Sequence, residues 1–232
     1  DPSGTAAWRR IGIPRLPWWE VAAPLRNPLF WLLGNRGRFL THAAAVGYDG
    51  NAALIVGPGG SGKSTTALTC LLAGFDYLGD DYTVTSTHDG PRVDCLYGSA
   101  KLSPRGVDGM DELVRDAAEF AGTDGEKLVV WPIRTFPDRV VTSAAVEAIL
   151  VPTITGEPAT TLAPITKADA LRALAPSSIL QFPAGGAAAL AAMARLVEAV
   201  PCRALLLGTD RRSIPAVVAE AIDAGGVSET GA

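Results

Sequence analysis

The sequence predicts an α/β fold: a P-loop-containing mixed β-sheet flanked by helices. Residues 52–56 form an apolar run typical of a buried strand, glycines follow it, and residues 65–73 have the pattern of a helix. Asp49-Gly50 separates this strand from an apolar run just before it, which is the strongest short-range hairpin signal. The strand that enters the loop is therefore expected to have an antiparallel neighbour. This favours a mixed sheet over the parallel sheet of switch GTPases.

The glycine-rich segment matches every fixed position of the phosphate-binding pattern G-x-x-x-x-G-K-[ST]. Glycines let the backbone turn tightly enough to direct successive N–H groups at phosphate oxygens, and the helix that follows directs its positive end at the same anion. We expect Lys63 to reach the β- and γ-phosphates and the Ser64 hydroxyl to bind Mg²⁺. The predicted nucleotide-binding residues are Gly57, Pro58, Gly59, Gly60, Ser61, Gly62, Lys63, Ser64 and Thr65.

Two adjacent acids lie in the apolar segment 75–86, which is expected to be extended. Strands disfavour aspartate, so Asp80 and Asp81 in succession need a reason, which is either a functional role or a place at a solvated strand edge or in a turn. Phosphoryl transfer needs a metal, an anion cradle, a lysine, and a carboxylate that positions the attacking hydroxyl and accepts its proton. The acid pair, together with Lys63 and Ser64, supplies that set.

The hairpin register predicts where His42 lies. If Asp49-Gly50 is a two-residue turn, His42 stands opposite Gly57, the first glycine of the loop. The pairs that lead to it are Tyr48 with Asn51, Val46 with Ala53, and Ala44 with Ile55. A neutral histidine at this point can form a hydrogen bond with the Asp80 carboxylate or with a phosphate-bound water. A bulge near Gly47 would move it to the other face of the sheet.

The remaining elements are read from periodicity and turn signals. A second hairpin turn is expected at Asp89-Gly90, with a return strand at 93–97, and an acidic helix at 111–120. The other predicted strands lie within 127–133, 140–151, 160–165 and 204–207, and the other predicted helices at 166–174, 187–200 and 214–222.

Three linked motifs resemble those of the kinase domain of HPr kinase/phosphorylase and its smaller relatives. These motifs are His42-Ala43, the segment 57–64 and Asp80-Asp81. Val200-Pro201 and Leu207-Gly208-Thr209-Asp210 are similar to late patterns of the HPr-kinase-related serine kinases that include the lasso-peptide kinases. The resemblance covers residues 40–100 well and the C-terminal third weakly.

This resemblance implies an ATP- and Mg²⁺-dependent kinase that phosphorylates a hydroxyl, expected to be a serine of a peptide or protein, in peptide natural-product tailoring. It implies Asp80 as the catalytic base, Asp81 as a metal ligand beside Ser64, and His42 and Lys63 as assisting catalytic residues. The sequence has no counterpart of the family's Ile-Glu-Ile-Arg-Gly segment, and Lys101–Gly106 stands nearby instead. HPr itself is therefore not expected to be the acceptor.

Two other functions remain open at this stage. A small-molecule kinase on the same scaffold is the first alternative, because no residue identifies the acceptor. A GTPase or ATPase switch is the second alternative, because Thr166-Lys167-Ala168-Asp169 resembles a guanine-reading element. The same tetrapeptide also reads as a helix capping box. Arg105, Lys127, Arg134 and Arg139 are the basic candidates for contact with the transferring phosphoryl group.

Composition limits the expected partners and compartment. The net charge is −4, which gives no basic surface for nucleic acid. No apolar run reaches the roughly 18 residues of a membrane span, so we expect a cytoplasmic protein without a membrane partner.

Residues 1–39 form a Trp/Pro-rich arm, which either docks on the chain's own core or serves a homo-oligomer or substrate surface. Residues 40–226 form the P-loop kinase domain, and residues 227–232 are expected to be a disordered tail.

Overall fold

The structure, a computed structural model, describes residues 18–115, 117–122, 125–180 and 186–226. Within these ranges, nine strands form one mixed, mostly antiparallel sheet and three form a smaller antiparallel sheet, with helices packed around them. The predicted α/β fold with a mixed sheet is confirmed. The strands are β1 (Phe39–Thr41), β2 (Ala43–Tyr48), β3 (Asn51–Val56), β4 (Asp76–Gly79), β5 (Thr83–Ser86), β6 (Arg92–Asp94), β7 (Ala100–Leu102), β8 (Ala118–Gly122), β9 (Gly125–Val130), β10 (Ser143–Ile154), β11 (Thr161–Pro164) and β12 (Cys202–Leu207).

The α-helices of the described residues differ in length from four residues to more than three turns. They are α1 (Trp18–Ala22), α2 (Arg26–Gly34), α3 (Lys63–Leu72), α4 (Asp111–Val114), α5 (Pro132–Thr135), α6 (Lys167–Ile179), α7 (Gly186–Ala199) and α8 (Ile214–Gly226). Within the described ranges, no helix has both the length and the apolar character that a membrane span requires.

The predicted hairpin between β2 and β3 is confirmed in turn and in register. Asp49 and Gly50 both have positive φ, 50° and 82°, as a two-residue hairpin turn requires. The ladder runs without a bulge from Tyr48–Asn51 to Ala43–Val56. His42 and Gly57 lie one step beyond its end. The register shift in β2 occurs instead in its pairing with β4, between Ala45 and Val46.

Strand β10 is the centre of the large sheet. It runs parallel to β3 on one side, and on the other side it pairs antiparallel with β6 and then parallel with β12. The strand order across the main path is β1-β5-β6-β10-β3-β2-β4, with β12 and β11 added beside the second half of β10. The combination of parallel and antiparallel pairs is what the Asp49-Gly50 hairpin predicted.

The two faces of the sheet are covered by different helices. Alternate residues of β3 point in opposite directions, so Leu54 packs with α6 and α7, whereas Ile55 packs with α3 and α8. Both are fully buried. The result is a three-layer arrangement in which α3, the helix after the glycine-rich loop, lies directly on the strand that leads into that loop.

The described part of the N-terminal arm contacts the chain's own core. Phe30 of α2 and Ala23 are buried with Leu40, Tyr82 and other apolar residues. The backbone carbonyl of Ala22 accepts a hydrogen bond from Ser99 at 2.5 Å. These contacts lie within one chain, and Trp31 of α2 is 51% exposed, so the choice between docking and an oligomer or substrate surface stays open. Residues 1–17 and the tail 227–232 lie outside the described residues, so the expectations for them stay predictions.

Two predicted elements differ from the structure. The segment 75–86 is not one strand: it is divided into β4 and β5 at Asp80–Tyr82. The acidic segment 111–120 is helical only to Val114, because Ala118–Gly122 pairs with β9. Strand pairing satisfies the backbone there, and such tertiary context overrides local helix propensity.

Candidate active site

The glycine-rich loop connects β3 to α3, so the predicted order of strand, loop and helix is confirmed. The backbone φ angles of Gly57, Gly60 and Gly62 are 154°, 81° and 108°, a range that residues other than glycine rarely adopt. Helix α3 begins at Lys63, directly after this turn. The backbone N–H groups of its first turn have no partner within the helix, as at every helix start. Phosphate binding by this loop stays a prediction.

Lys63 folds over the loop that precedes it. Its ammonium donates hydrogen bonds to the carbonyl oxygens of Gly57 at 2.7 Å and Pro58 at 3.0 Å, and the residue is 6% exposed. Burial lowers the pKa of Lys63, and the nearby charges of Asp80 and Asp81 oppose that shift. The Lys63 ammonium is therefore bound to the loop carbonyls and is close enough to the acid pair to feel its negative charge.

Asp80 is buried and faces the start of α3. The Ser64 hydroxyl donates a hydrogen bond to its Oδ1 at 2.8 Å, and the backbone N–H of Lys101 donates to its Oδ2 at 3.0 Å. Burial raises the pKa of Asp80, the charge of Asp81 adds to this rise, and the two hydrogen bonds oppose it. No cationic side chain among the described residues forms a hydrogen bond with this carboxyl group.

Asp81 faces different partners. His42 Nε2 lies 3.0 Å from its Oδ1, and the Lys101 ammonium donates a hydrogen bond to its Oδ2. Burial alone would raise the pKa of Asp81, but the hydrogen bond with His42 and the charge of Lys101 outweigh it and hold the pKa well below its usual range. This carboxylate has a hydrogen-bond partner at each oxygen, His42 at Oδ1 and Lys101 at Oδ2.

The backbone at Asp81 is strained. Its φ is 67°, and the N–H of Tyr82 donates a hydrogen bond to the carbonyl of Asp80 at 2.7 Å, which closes a three-residue turn around Asp81. A left-handed φ outside glycine is uncommon and occurs often at functional sites. The turn separates the two carboxyl groups, so that Asp80 faces Ser64 and Asp81 faces His42.

His42 lies at the site, but on Asp81 rather than on Asp80. Its backbone N–H donates a hydrogen bond to the Ser178 hydroxyl at 3.0 Å, and its ring lies 5.5 Å from the ring of Tyr82. The residue is 8% exposed, and its Nδ1 has no hydrogen-bond partner among the described residues. His42 thus lies beside the acid pair, as expected, but its partner is the carboxylate of Asp81 and not that of Asp80.

The oxygen donors fit a magnesium ion. The Ser64 hydroxyl and the Asp80 carboxylate lie side by side at the loop, and Mg²⁺ is usually held by one or two such protein oxygens together with substrate phosphates. Among the described residues, no group of three or more His, Cys, Asp or Glu side chains could hold a metal by itself. The donor set therefore suits a metal that binds together with a nucleotide.

Lys101 is the site residue that the sequence interpretation missed. It stands in β7 between Ala100 and Leu102, each only 1% exposed, and is itself 9% exposed. A lysine inside a short buried strand needs a paired charge, because burying an unpaired ammonium is costly. That pattern was visible in the sequence as a single lysine between apolar residues, but its partner was not.

The predicted basic candidates lie at different places. The charge of Lys127 acts on Lys63 and contributes to the lowering of its pKa. Arg134 stacks on the ring of Trp131 at 4.7 Å, and Arg139 lies 3.9 Å from Asp76. The side chain of Arg105 lies outside the described part of the structure. Of the described candidates, Lys127 is the one whose charge reaches the glycine-rich loop.

The chain is similar to the HPr(Ser) kinase/phosphatase from Coxiella burnetii. The identity is 13% and the TM-score 0.41, over 83% of this chain and 99% of that one. No family model matches the sequence, and no curated protein matches it. At these values the similarity assigns neither a family nor an activity to this chain.

The tetrapeptide Thr166–Asp169 has a structural role. The Thr166 side chain accepts a hydrogen bond from the N–H of Asp169 at 3.1 Å, which caps α6. The Lys167 ammonium donates to the backbone carbonyls of Val197, Glu198 and Val200, around the last turn of α7. These contacts account for the tetrapeptide as a capping box, with the lysine at a helix C-terminus.

We expect Thr166→Ala to weaken the fold without changing nucleotide preference. Loss of an N-cap side chain costs about 0.5–2 kcal/mol in the free energy of unfolding. Urea denaturation measures that cost, and melting curves with ATP or GTP measure the preference. If Thr166→Ala changed the ratio of the ATP and GTP effects, this tetrapeptide would belong to a nucleotide site.

Proposed function

We propose that this protein is an ATP- and Mg²⁺-dependent kinase that transfers the γ-phosphoryl group to a hydroxyl, a serine of a peptide or protein acceptor. The observation that supports it is the convergence of Ser64, Asp80, Asp81 and His42 at the loop that holds Lys63. Phosphoryl transfer is catalysed mainly by positioning and charge, and these groups supply both.

The contacts favour an exchange of the roles that the family resemblance implied for the two acids. Ser64 is hydrogen-bonded to Asp80, so in this proposal Ser64 and Asp80 form the metal side of the site. Asp81, held by His42, is the carboxylate that orients the acceptor hydroxyl and accepts its proton. Mg²⁺, when bound with ATP, would be held on the protein side by Ser64 and Asp80 and would offset the charge of the phosphates.

In this proposal Lys63 moves from the loop carbonyls to the nucleotide. Its present hydrogen bonds to Gly57 and Pro58 show that its ammonium lies at the mouth of the loop. The buried surroundings exclude water and strengthen its interaction with phosphate oxygens. The loop backbone and the start of α3 then hold the phosphates, while Asp81 faces the acceptor.

We expect Mg·ATP to raise the melting temperature and Lys63→Ala to remove most of that rise. At a hundredfold excess over Kd, a ligand that binds only the folded state adds about 2.7 kcal/mol, which is a shift of roughly 5–11 °C for a protein of this size. Differential scanning fluorimetry with and without EDTA measures it. Removal of the ammonium that faces the phosphates deletes much of the binding energy.

Arg38→Ala is the matched control for the loss of a cationic side chain. Arg38 forms an exposed ion pair with Asp94 at 2.7 Å, away from the loop, so its loss should leave the ATP-dependent shift unchanged. An undiminished shift in Lys63→Ala would contradict nucleotide binding at this loop. Phosphate recovered on a metabolite rather than on serine peptides would favour the small-molecule kinase.

A further inference from the structure

Lys101 contacts both carboxyl groups of the acid pair, through two different donors. Its backbone N–H donates to Asp80 Oδ2 at 3.0 Å, and its side-chain ammonium donates to Asp81 Oδ2. The first contact belongs to strand β7, whose place is fixed by pairing with β9. The second depends on the side chain alone and can be changed by mutation.

The Asp81 carboxylate is clamped from two sides. His42 holds Oδ1 and Lys101 holds Oδ2, so the carboxylate plane is fixed although the backbone at Asp81 is strained at φ 67°. Strained backbone persists only where its surroundings over-determine it. The Lys101 ammonium also lies 6.0 Å from the centre of the Tyr82 ring, the residue that follows the turn. The Lys101 ammonium thus lies close to both the Asp81 carboxylate and the Tyr82 ring.

The positive charge of Lys101 also bears on electrostatic repulsion within the site. Two carboxylates and a triphosphate in one buried pocket repel one another, and repulsion between such groups is strong where water is excluded. Lys63 and the metal offset the charge on the nucleotide side. The Lys101 ammonium is the cation that the structure places against the acceptor-side carboxylate.

Resting on the proposed kinase function, we infer that Lys101 is a positioning residue for phosphoryl transfer: its ammonium holds Asp81 in the orientation that the acceptor hydroxyl requires. It acts through Asp81 and does not bind the nucleotide. Its loss should therefore reduce turnover and leave nucleotide affinity unchanged.

The test compares Lys101→Met and Lys101→Arg with wild type, with γ-labelled ATP and either water or a degenerate mixture of serine-containing peptides as acceptor. We expect Lys101→Met to lower kcat about 100-fold, because a displacement of about 1 Å at a reacting group costs that much, with KM for ATP unchanged. Lys101→Arg keeps the charge and should restore most of the rate. The affinity of each variant for a fluorescent ATP analogue with Mg²⁺ should match that of wild type.

A double-mutant cycle with Asp81→Asn separates positioning from a general loss of stability. Residues that act as one unit are strongly non-additive, so Lys101→Met should cost little more once Asp81 is changed. Lys167→Met is the matched control: it removes a structural lysine bound to helix carbonyls, and should lower the melting temperature without lowering kcat. If Lys101→Met does not fold, Lys101→Gln replaces it in the cycle.

The outcomes distinguish the inference from the function on which it rests. Wild-type turnover in a folded Lys101→Met or Lys101→Gln variant, or additive losses in the cycle, would overturn the inference while the kinase function stands. Wild-type protein that neither releases nor transfers labelled phosphate would overturn the proposed function and, with it, the inference.

Discussion

Asp81→Asn should reduce phosphoryl transfer by about 10²–10⁴-fold, the contribution typical of a positioned general base, while Mg·ATP still binds. An amide cannot accept the hydroxyl proton, but it keeps the size of the side chain and, as asparagine, tolerates the left-handed φ of this position. Transfer of label from ATP to serine peptides measures the rate, and binding of a fluorescent ATP analogue measures the affinity. Thermal melting checks that the buried Lys101 is still accommodated.

Asp80→Asn is the matched change on the neighbouring acid and should fail differently. Because Asp80 shares a hydrogen bond with Ser64 at 2.8 Å, its loss should weaken the part of nucleotide affinity that depends on Mg²⁺. Comparison of the affinities in Mg²⁺ and in EDTA isolates that part. The reverse pattern, in which Asp80→Asn loses only turnover and Asp81→Asn loses the metal dependence, would restore the roles that the family resemblance implied.

Gly62→Ala should be among the most destabilising single methyl additions in the loop. The added Cβ would lie 2.4 Å from Leu207 Cδ1, and the φ of 108° is unfavourable for alanine. Strain and overpacking together should lower the free energy of unfolding by about 2–5 kcal/mol. Leu207 is 5% exposed in the core between the sheet, α3 and α8, so its side chain has little room to move away. Urea denaturation measures the change.

Gly59→Ala is the control for a methyl added to the same loop. A Cβ at Gly59 meets nothing within 4 Å, so its effect on stability should stay within about 0.5 kcal/mol. Combining Gly62→Ala with Leu207→Ala should cost less than the sum of the two single changes, since one relieves the crowding of the other. Equal destabilisation by Gly59→Ala and Gly62→Ala would contradict the packing of this loop on β12.

Features set by neighbouring residues could be predicted from the sequence. The Asp49-Gly50 turn fixes the pairing of the two strands beside it, and the loop between β3 and α3 depends on glycines within a few positions of one another. His42 could be placed near the loop for the same reason: it lies only one step beyond a ladder whose register follows from its turn.

The contacts within the site could not be predicted in the same way. Adjacent residues of an extended chain point to opposite sides, so only one of Asp80 and Asp81 can face Ser64, and the turn at φ 67° decides which. Lys101 reaches Asp81 through the pairing of β7 with β9, a contact without a local sequence signal. The arm contacts Tyr82 and its neighbours by apolar packing that many surfaces would satisfy.

The packing of Gly62 against Leu207 bears on when, during synthesis of the chain, the glycine-rich loop can become fully packed. Strand β3 pairs with β2 through a two-residue turn, but on its other side it pairs in parallel with β10, and β10 pairs in parallel with β12, so these two pairings join distant parts of the chain. Pairings between distant segments form slowly because a long loop must be closed first. While the loop has left the ribosome and β12 has not, Leu207 is therefore not yet in place to pack against Gly62. We expect the glycine-rich loop to reach its final conformation late in synthesis, after residue 207 has emerged from the exit tunnel.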